Sequence, residues 1–420
     1  MNLTEQALFL ARTLGGKNQL NCIAEIDPTA ADQAGFLERN ASSLPLSGIP
    51  VLIKDNMDVS GLHTTAGSAA LRDNLASQDA PVVRNLRRSG AVILGKTNMT
   101  EFANFTTYGM PGGYSSLGGQ VIHAVNPEVN PSGSSSGSAV AVSAGIVPMA
   151  VGTDTSFSII HCAMANGICG LKPPVGTLSA EGIIPIAPTL DSAGPMAANF
   201  SDALRLYSAM RDTPLPALSP ARPERLRLAV NTAGSEKMPG DYTALIHRFL
   251  DRMCSLGAQV TEIDQPSAPE MMTIMKWEFK PYLEAYLAAS SSRLKTLKDI
   301  VDEYESHPET MMRYGDALLR ASLDETPGGL NGEPYLTAMK TREETIPRIH
   351  HELEGFDAVI MTGPTTIPHF CGLPSATVAG KLKLKNGVRH ALMLYGSDEY
   401  RLLETALTIE SELGQLAEAP

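Results

Sequence analysis

Two short runs, Val51-Leu52-Ile53 and Ala91-Val92-Ile93-Leu94, are apolar at every position. A strand with one face in water alternates polar and apolar residues, so a strand without alternation must be covered on both sides. Between the two runs, Ala80 to Ser89 has helical spacing, with Val82, Val83 and Leu86 on one face and Gly90 closing it. Strand, helix and strand joined by short links predict an α/β fold: a mixed, mostly parallel central β-sheet with α-helices on both faces.

The rest of the chain extends this pattern. Residues 4–40 read as helices, with Asp27-Pro28-Thr29 as the link and Ala30 to Arg39 as the second helix. Ser138 to Pro148 reads as a buried helix of small residues, and Met149-Ala150-Val151 as a strand. A proline-rich stretch, 213–225, marks a crossing loop before a strand at Leu226–Val230, a helix at Tyr242–Leu256 and a strand at Val260–Ile263. Met271 to Leu319 is largely helical, Asp357–Met361 is a late strand, and Tyr400–Leu416 is a final helix. No internal repeat occurs.

Charge and composition exclude several classes. Lys and Arg number 33 against 45 Asp and Glu, a net charge of −12, with no basic run. Such a chain has little to offer nucleic acid or an anionic membrane surface. No apolar run reaches the ~18 residues of a membrane helix. Met1-Asn2-Leu3-Thr4-Glu5 lacks the basic start of a secretory signal, so the expected location is the cytoplasm. The five cysteines form no CxxC pair and read as buried, reduced thiols. Histidines form no HxH or HExxH string; His350-His351 is the one close pair, and neither a metal nor a cofactor is expected.

Three strings invite chemical readings. Gly90 to Thr97 fits the phosphate-loop pattern GxxxxGKT, but its variable positions are the apolar strand, where a phosphate cradle needs a loop. Gly133 to Gly137 fits GxSxG with Ser135 central, but no strand precedes it as a nucleophile elbow requires. The long glycine- and serine-rich segment 107–137 lies inside a region that is otherwise regular, where such loops are functional or disordered. Ser134 lies in it and Ser158 in a second irregular segment; the two are at opposite ends of one helix–strand unit. Taken singly, Lys54 reads as a lysine at a strand end, Ser134 as a turn serine and Ser158 as a cap or loop serine.

Taken together, the strings resemble the amidase signature family. The resemblance rests on Gly48-Ile-Pro-Val-Leu-Ile-Lys54, Gly95-Lys-Thr-Asn-Met-Thr-Glu-Phe102, Ser132-Gly-Ser-Ser-Ser-Gly-Ser138, Gly152-Thr-Asp-Thr-Ser-Phe-Ser158, Gly170-Leu-Lys-Pro and Asp191-Ser-Ala-Gly-Pro. It is dense over residues 45–205 and thinner later, where Phe356-Asp-Ala-Val-Ile-Met and Cys371-Gly-Leu-Pro374 resemble a closing strand and turn. Within the family, the Ser-Gly-Ser-Ser-Ser-Gly-Ser loop is similar to that of bacterial peptide amidases.

The resemblance implies one domain over 1–420, with core motifs at 45–205, a helical pocket region near 270–345 and a closing strand and helix at 355–416. It implies a Ser–Ser–Lys triad: Lys54 as base, Ser134 as a bridging serine after a cis peptide, Ser158 as nucleophile. Backbone N–H groups of Thr155, Ser156, Phe157 and Ser158 would form the oxyanion hole. Met110, Ser135, Phe157 and Trp277 would touch substrate, a small-molecule or peptide amide, in a monomer or homodimer. Departures are Ser156-Phe157 where many members carry Gly-Gly, and Ile160 where an arginine would pair with Asp154. They leave open acyl transfer to an amine, or a binding protein that has lost catalysis.

Overall fold

The apolar runs form strands without an exposed face: every residue of Pro50–Lys54 and Val92–Thr97 is buried. The computed structural model describes residues 2–40 and 43–416. In chain order the strands are β1 Ile23–Ile26, β2 Pro50–Lys54, β3 Val92–Thr97, β4 Tyr114–Ser115, β5 Gly119–Gln120, β6 Met149–Asp154, β7 Cys169–Lys172, β8 Ser192–Ala197, β9 Arg227–Asn231, β10 Gln259–Ile263, β11 Ala358–Met361, β12 Ser375–Lys383 and β13 Arg389–Tyr395. β4 and β5 make a small hairpin, and the others make one 11-stranded sheet in the order β1-β3-β2-β6-β8-β7-β12-β13-β11-β9-β10. Parallel pairing is confined to two blocks, β3-β2-β6 and β11-β9-β10. β1 and the strands between the blocks run antiparallel to their neighbours.

Helices cover both faces, as the unalternating strands require. Val51, Ile53, Ile93, Met149 and Val151 pack with residues of helices Pro81–Arg88, Phe200–Met210, Gly240–Ser255 and Glu399–Leu413. Leu52, Val92, Leu94 and Ala150 point the other way, into helices Leu3–Thr13, Ala30–Asn40, Ser136–Ser143 and Ile160–Ala165. Each buried Val, Leu or Ile contributes about 1.5–3 kcal/mol. Helices Glu270–Ala289, Leu297–Ser306 and Glu333–Glu352 pack beyond the second face, against Val359, Met361 and Met393. Period-two alternation carries Lys54 to the same face as Leu52, beneath the small-residue helix. That parity positions the site.

One local reading changes, and one strand enters that the sequence did not suggest. The segment 4–40 contains a strand, β1, between its helices, paired antiparallel to β3. The approach is close enough that a Cβ on Gly95 would lie 2.1 Å from the Glu25 carbonyl oxygen. β8, Ser-Ala-Gly-Pro-Met-Ala, has no strand signal of its own; its pairing with β6 and β7 overrides propensity. Among the described residues, no helix is long and apolar enough to cross a membrane.

Candidate active site

β2 and β6 are parallel neighbours, ending at Lys54 and Asp154. Lys54 is fully buried, and its Nζ lies 2.7 Å from Ser134 Oγ, 2.7 Å from Thr153 Oγ1 and 3.2 Å from the Thr153 carbonyl oxygen. Asn56 Nδ2 donates to the same Thr153 hydroxyl at 3.1 Å and so holds it in place. Removal from water pulls the Lys54 amine down from 10.5 to about 7, against the opposing pull of Cys162, Asp154 and Asp191. A large share of this amine is therefore uncharged at neutral pH and can accept a proton.

The glycine–serine loop brings Ser134 to that amine. The Gly133–Ser134 peptide bond is cis. The Ser134 carbonyl accepts the Thr100 N–H at 3.1 Å, and Asn166 Nδ2 donates to the Pro131 carbonyl at 2.8 Å. The loop also meets the second serine-bearing turn: Ser135 N–H donates to the Ser158 carbonyl at 3.3 Å. Ser158, with Gly133, Thr155 and Ser156, lines a cavity of about 440 Å³. Its hydroxyl has no hydrogen-bond partner among the described residues. The contact between Lys54 and Ser134 is thus closed, whereas Ser158 Oγ is left to whatever enters the cavity. Catalytic hydrogen bonds in empty sites are often open in this way.

The turn from Asp154 to Ser158 explains the missing arginine. Asp154 Oδ2 accepts the N–H groups of Ile159 and Ile160 at 2.8 and 3.2 Å. Oδ1 lies 3.2 Å from Nε2 of His369, both residues being fully buried. Burial alone would raise this carboxyl, but His369, the Ile159 N–H and Lys172 hold it at about 2. His369 therefore stands where sequence reasoning expected a vacancy opposite Ile160. Nothing local marked it, since it lies far along the chain in Ile367–Phe370.

The same imidazole alters the expected donor set. The N–H groups of Thr155 and Ser156 have no acceptor among the described residues, but Phe157 N–H donates to His369 Nε2 at 3.0 Å. Phe157 adopts φ +68°, the left-handed conformation that a glycine would take without cost, and its ring packs 4.4 Å from the imidazole centroid. The expectation of a free Phe157 N–H is corrected accordingly.

The expected substrate contacts also move. Met110, Ser135, Phe157 and Trp277 are absent from the cavity lining. Ser135 Oγ is strapped to β6, donating to the Thr153 carbonyl at 3.1 Å, and Trp277 is buried among the pocket helices. The apolar wall is instead Phe105, Ile186, Met271, Met272, Met275 and Leu318, and among the described residues no charged side chain lines the cavity. Met271, Met272 and Met275 share the first turns of one helix, a spacing visible in the sequence but indistinguishable there from ordinary core. In the phosphate-loop look-alike, Lys96 is buried and paired with Asp55 at 3.3 Å.

The family described as Amidase matches residues 6–381. A mandelamide hydrolase of Pseudomonas putida is 31% identical over 439 residues, covering 95% of this chain and 86% of that protein. One subunit of a glutamyl-tRNA(Gln) amidotransferase from Symbiobacterium thermophilum is 34% identical over 317 residues, covering 71% of this chain and 59% of that one. The native peptide amidase of Stenotrophomonas maltophilia superposes with a TM-score of 0.86 at 29% identity, covering 98% of this chain and 94% of that one. The chain spans under two thirds of the length of several other curated relatives.

Proposed function

Because this chain belongs to the amidase family, we propose that it is a serine amidohydrolase working through an acyl-Ser158 ester. The observation that carries the reading is the fully buried Lys54 amine, pulled down towards neutrality by its burial and 2.7 Å from Ser134 Oγ, beside the cavity that Ser158 lines. Ser158 Oγ bonds to the carboxamide carbon while its proton passes to Ser134 and the Ser134 proton passes to Lys54 Nζ. The carbonyl oxygen becomes an oxyanion facing the unpaired N–H groups of Thr155 and Ser156, each such donor being worth about 3–4 kcal/mol. Returning the proton along the same path lets the C–N bond break and releases ammonia or an amine. Water then takes the place of Ser158 and releases the carboxylate.

The cavity wall narrows the substrate. A lining of methionines and Phe105 without a charged side chain favours a neutral, apolar acyl group, because a buried unpaired charge is costly. A relative named as a mandelamide hydrolase, whose substrate is a neutral primary amide with a phenyl-bearing acyl group, supports the same class. The test is ammonia release from primary, aryl and peptide amides, with and without an added amine acceptor, by wild type and Ser158→Ala. Wild type should turn over a neutral aryl or alkyl amide and label with a fluorophosphonate, and the variant should do neither. Full turnover by Ser158→Ala would overturn the assignment.

A further inference from the structure

One residue of the glycine–serine loop holds a conformation that its backbone bonds do not require of a serine. Ser132 has φ +64°, in the left-handed region that disfavours a side chain and suits glycine. Its N–H donates to Asn130 Oδ1 at 2.8 Å, and its carbonyl accepts the Ser136 hydroxyl; a glycine would keep both bonds. What a glycine would lose is the hydroxyl. Ser132 Oγ lies 2.7 Å from Nδ1 of His161. The contact closes with the proton on either atom, because the hydroxyl can donate to a bare ring nitrogen or accept from a protonated one.

The two partners belong to the two segments that the reaction has to align. Ser132 lies two positions before Ser134, and Gly133 between them lines the cavity. His161 lies three positions after Ser158, in the helix Ile160–Ala165 that the nucleophile's turn runs into. On its other side the loop is wedged, since a Cβ on Gly112 would lie 2.5 Å from the Ser132 carbonyl carbon. Loop and helix also meet through Asn166 Nδ2 on the Pro131 carbonyl, at 2.8 Å, and Ser135 N–H on the Ser158 carbonyl, at 3.3 Å. The Ser132–His161 bond sits between these two along the loop, and it alone of the three runs from side chain to side chain. Such contacts set the gap that a proton from Ser158 must cross to reach Ser134, and a displacement of about 1 Å there can cost about 10²-fold in rate.

We infer that Ser132 and His161 are positioning residues of the proposed reaction: their hydrogen bond ties the Ser134 loop to the Ser158 helix and so sets the separation of the two hydroxyls. The inference rests on the proposed acyl-Ser158 chemistry. Neither side chain lines the cavity; both act through the segments they join.

A double-mutant cycle on the full chain tests it, with a neutral aryl amide as substrate. Ser132→Gly deletes the hydroxyl and relieves the left-handed φ. It should keep an unfolding midpoint close to that of wild type while kcat falls about 10–100-fold and KM stays within about threefold. His161→Leu should show the same loss, and the double variant should lose no more than either single one. His161→Asn, whose amide can stand in for Nδ1, should recover most of it. Labelling of Ser158 by a fluorophosphonate should slow by the same factor in both single variants. Wild-type kcat in folded Ser132→Gly, a loss carried by KM, or losses that multiply in the double variant would overturn the inference. Labelling of wild type separates the failures: no adduct on Ser158 refutes the acyl-enzyme reading, whereas an adduct together with indifferent Ser132 and His161 variants refutes this inference alone.

Discussion

Replacing Lys54 by methionine should abolish turnover and, near neutral pH, stabilise the fold. Burial pulls the amine from 10.5 to about 7. At about 1.4 kcal/mol per unit this amounts to roughly 5 kcal/mol of folding free energy. The folded state binds the proton more weakly than the unfolded chain does. The penalty is therefore complete below about pH 7 and fades as the pH rises towards 10.5. Methionine has similar length and no charge, so it removes the penalty, but it also deletes the bonds to Ser134 and Thr153. At about 1 kcal/mol for each bond, the net gain is about 2–3 kcal/mol below pH 7. Denaturant unfolding of both proteins at about pH 6 and about pH 10 measures it: the variant should have the higher midpoint at the lower pH, and the gap should shrink at the higher. A variant less stable than wild type at pH ~6, or a gap indifferent to pH, would refute the argument that the amine is held uncharged at a cost in stability.

Amide turnover should rise with pH through about 7 as Lys54 loses its proton, and a flat kcat/KM between about pH 6 and 9 would contradict a titrating lysine base. Met275→Glu places a charge in a cavity wall that has none, so KM for a neutral aryl amide should rise at least about tenfold, and an unchanged KM would remove the case for an apolar acyl site. Phe157→Gly should leave stability within about 1 kcal/mol of wild type, because relief of a left-handed φ offsets the lost ring packing, whereas Phe157→Val should destabilise by more than ~1 kcal/mol. Unfolding midpoints that reverse this order would show that the turn is not held at positive φ.

What the sequence disclosed divides along physical lines. Val51-Leu52-Ile53 and Ala91 to Leu94 announced buried strands because a missing alternation is a local signal, and the helices flanking them followed from equally local periodicity. Lys54 and Ser134 were legible together because one loop and one strand end carry long, distinctive strings, and the structure brings their side chains into contact. β8 was not legible: Gly194 and Pro195 disfavour strands, and only neighbours on both sides make it one. Nor was His369, whose partners Asp154 and Phe157 lie on a turn made from a different part of the chain. The cavity wall was misread for a related reason. Trp277 and Met271 belong to the same helix, and only the helix's rotation against the sheet decides which of them reaches the cavity.

β7 pairs with β12 through Lys172 and Ser375, Leu171 and Ala376, and Gly170 and Thr377. At the usual pace of synthesis, about 5–20 residues per second, roughly 10–40 s separate the two partners as they leave the ribosome. For that interval the nascent chain carries an unpaired strand edge, the kind of template that invites association with other chains. It already contains Ser158, yet the His369 ring that packs against the neighbouring Phe157 has not been made. Removing the last few dozen residues of such a chain would not trim a margin; it would take strands out of the middle of the sheet.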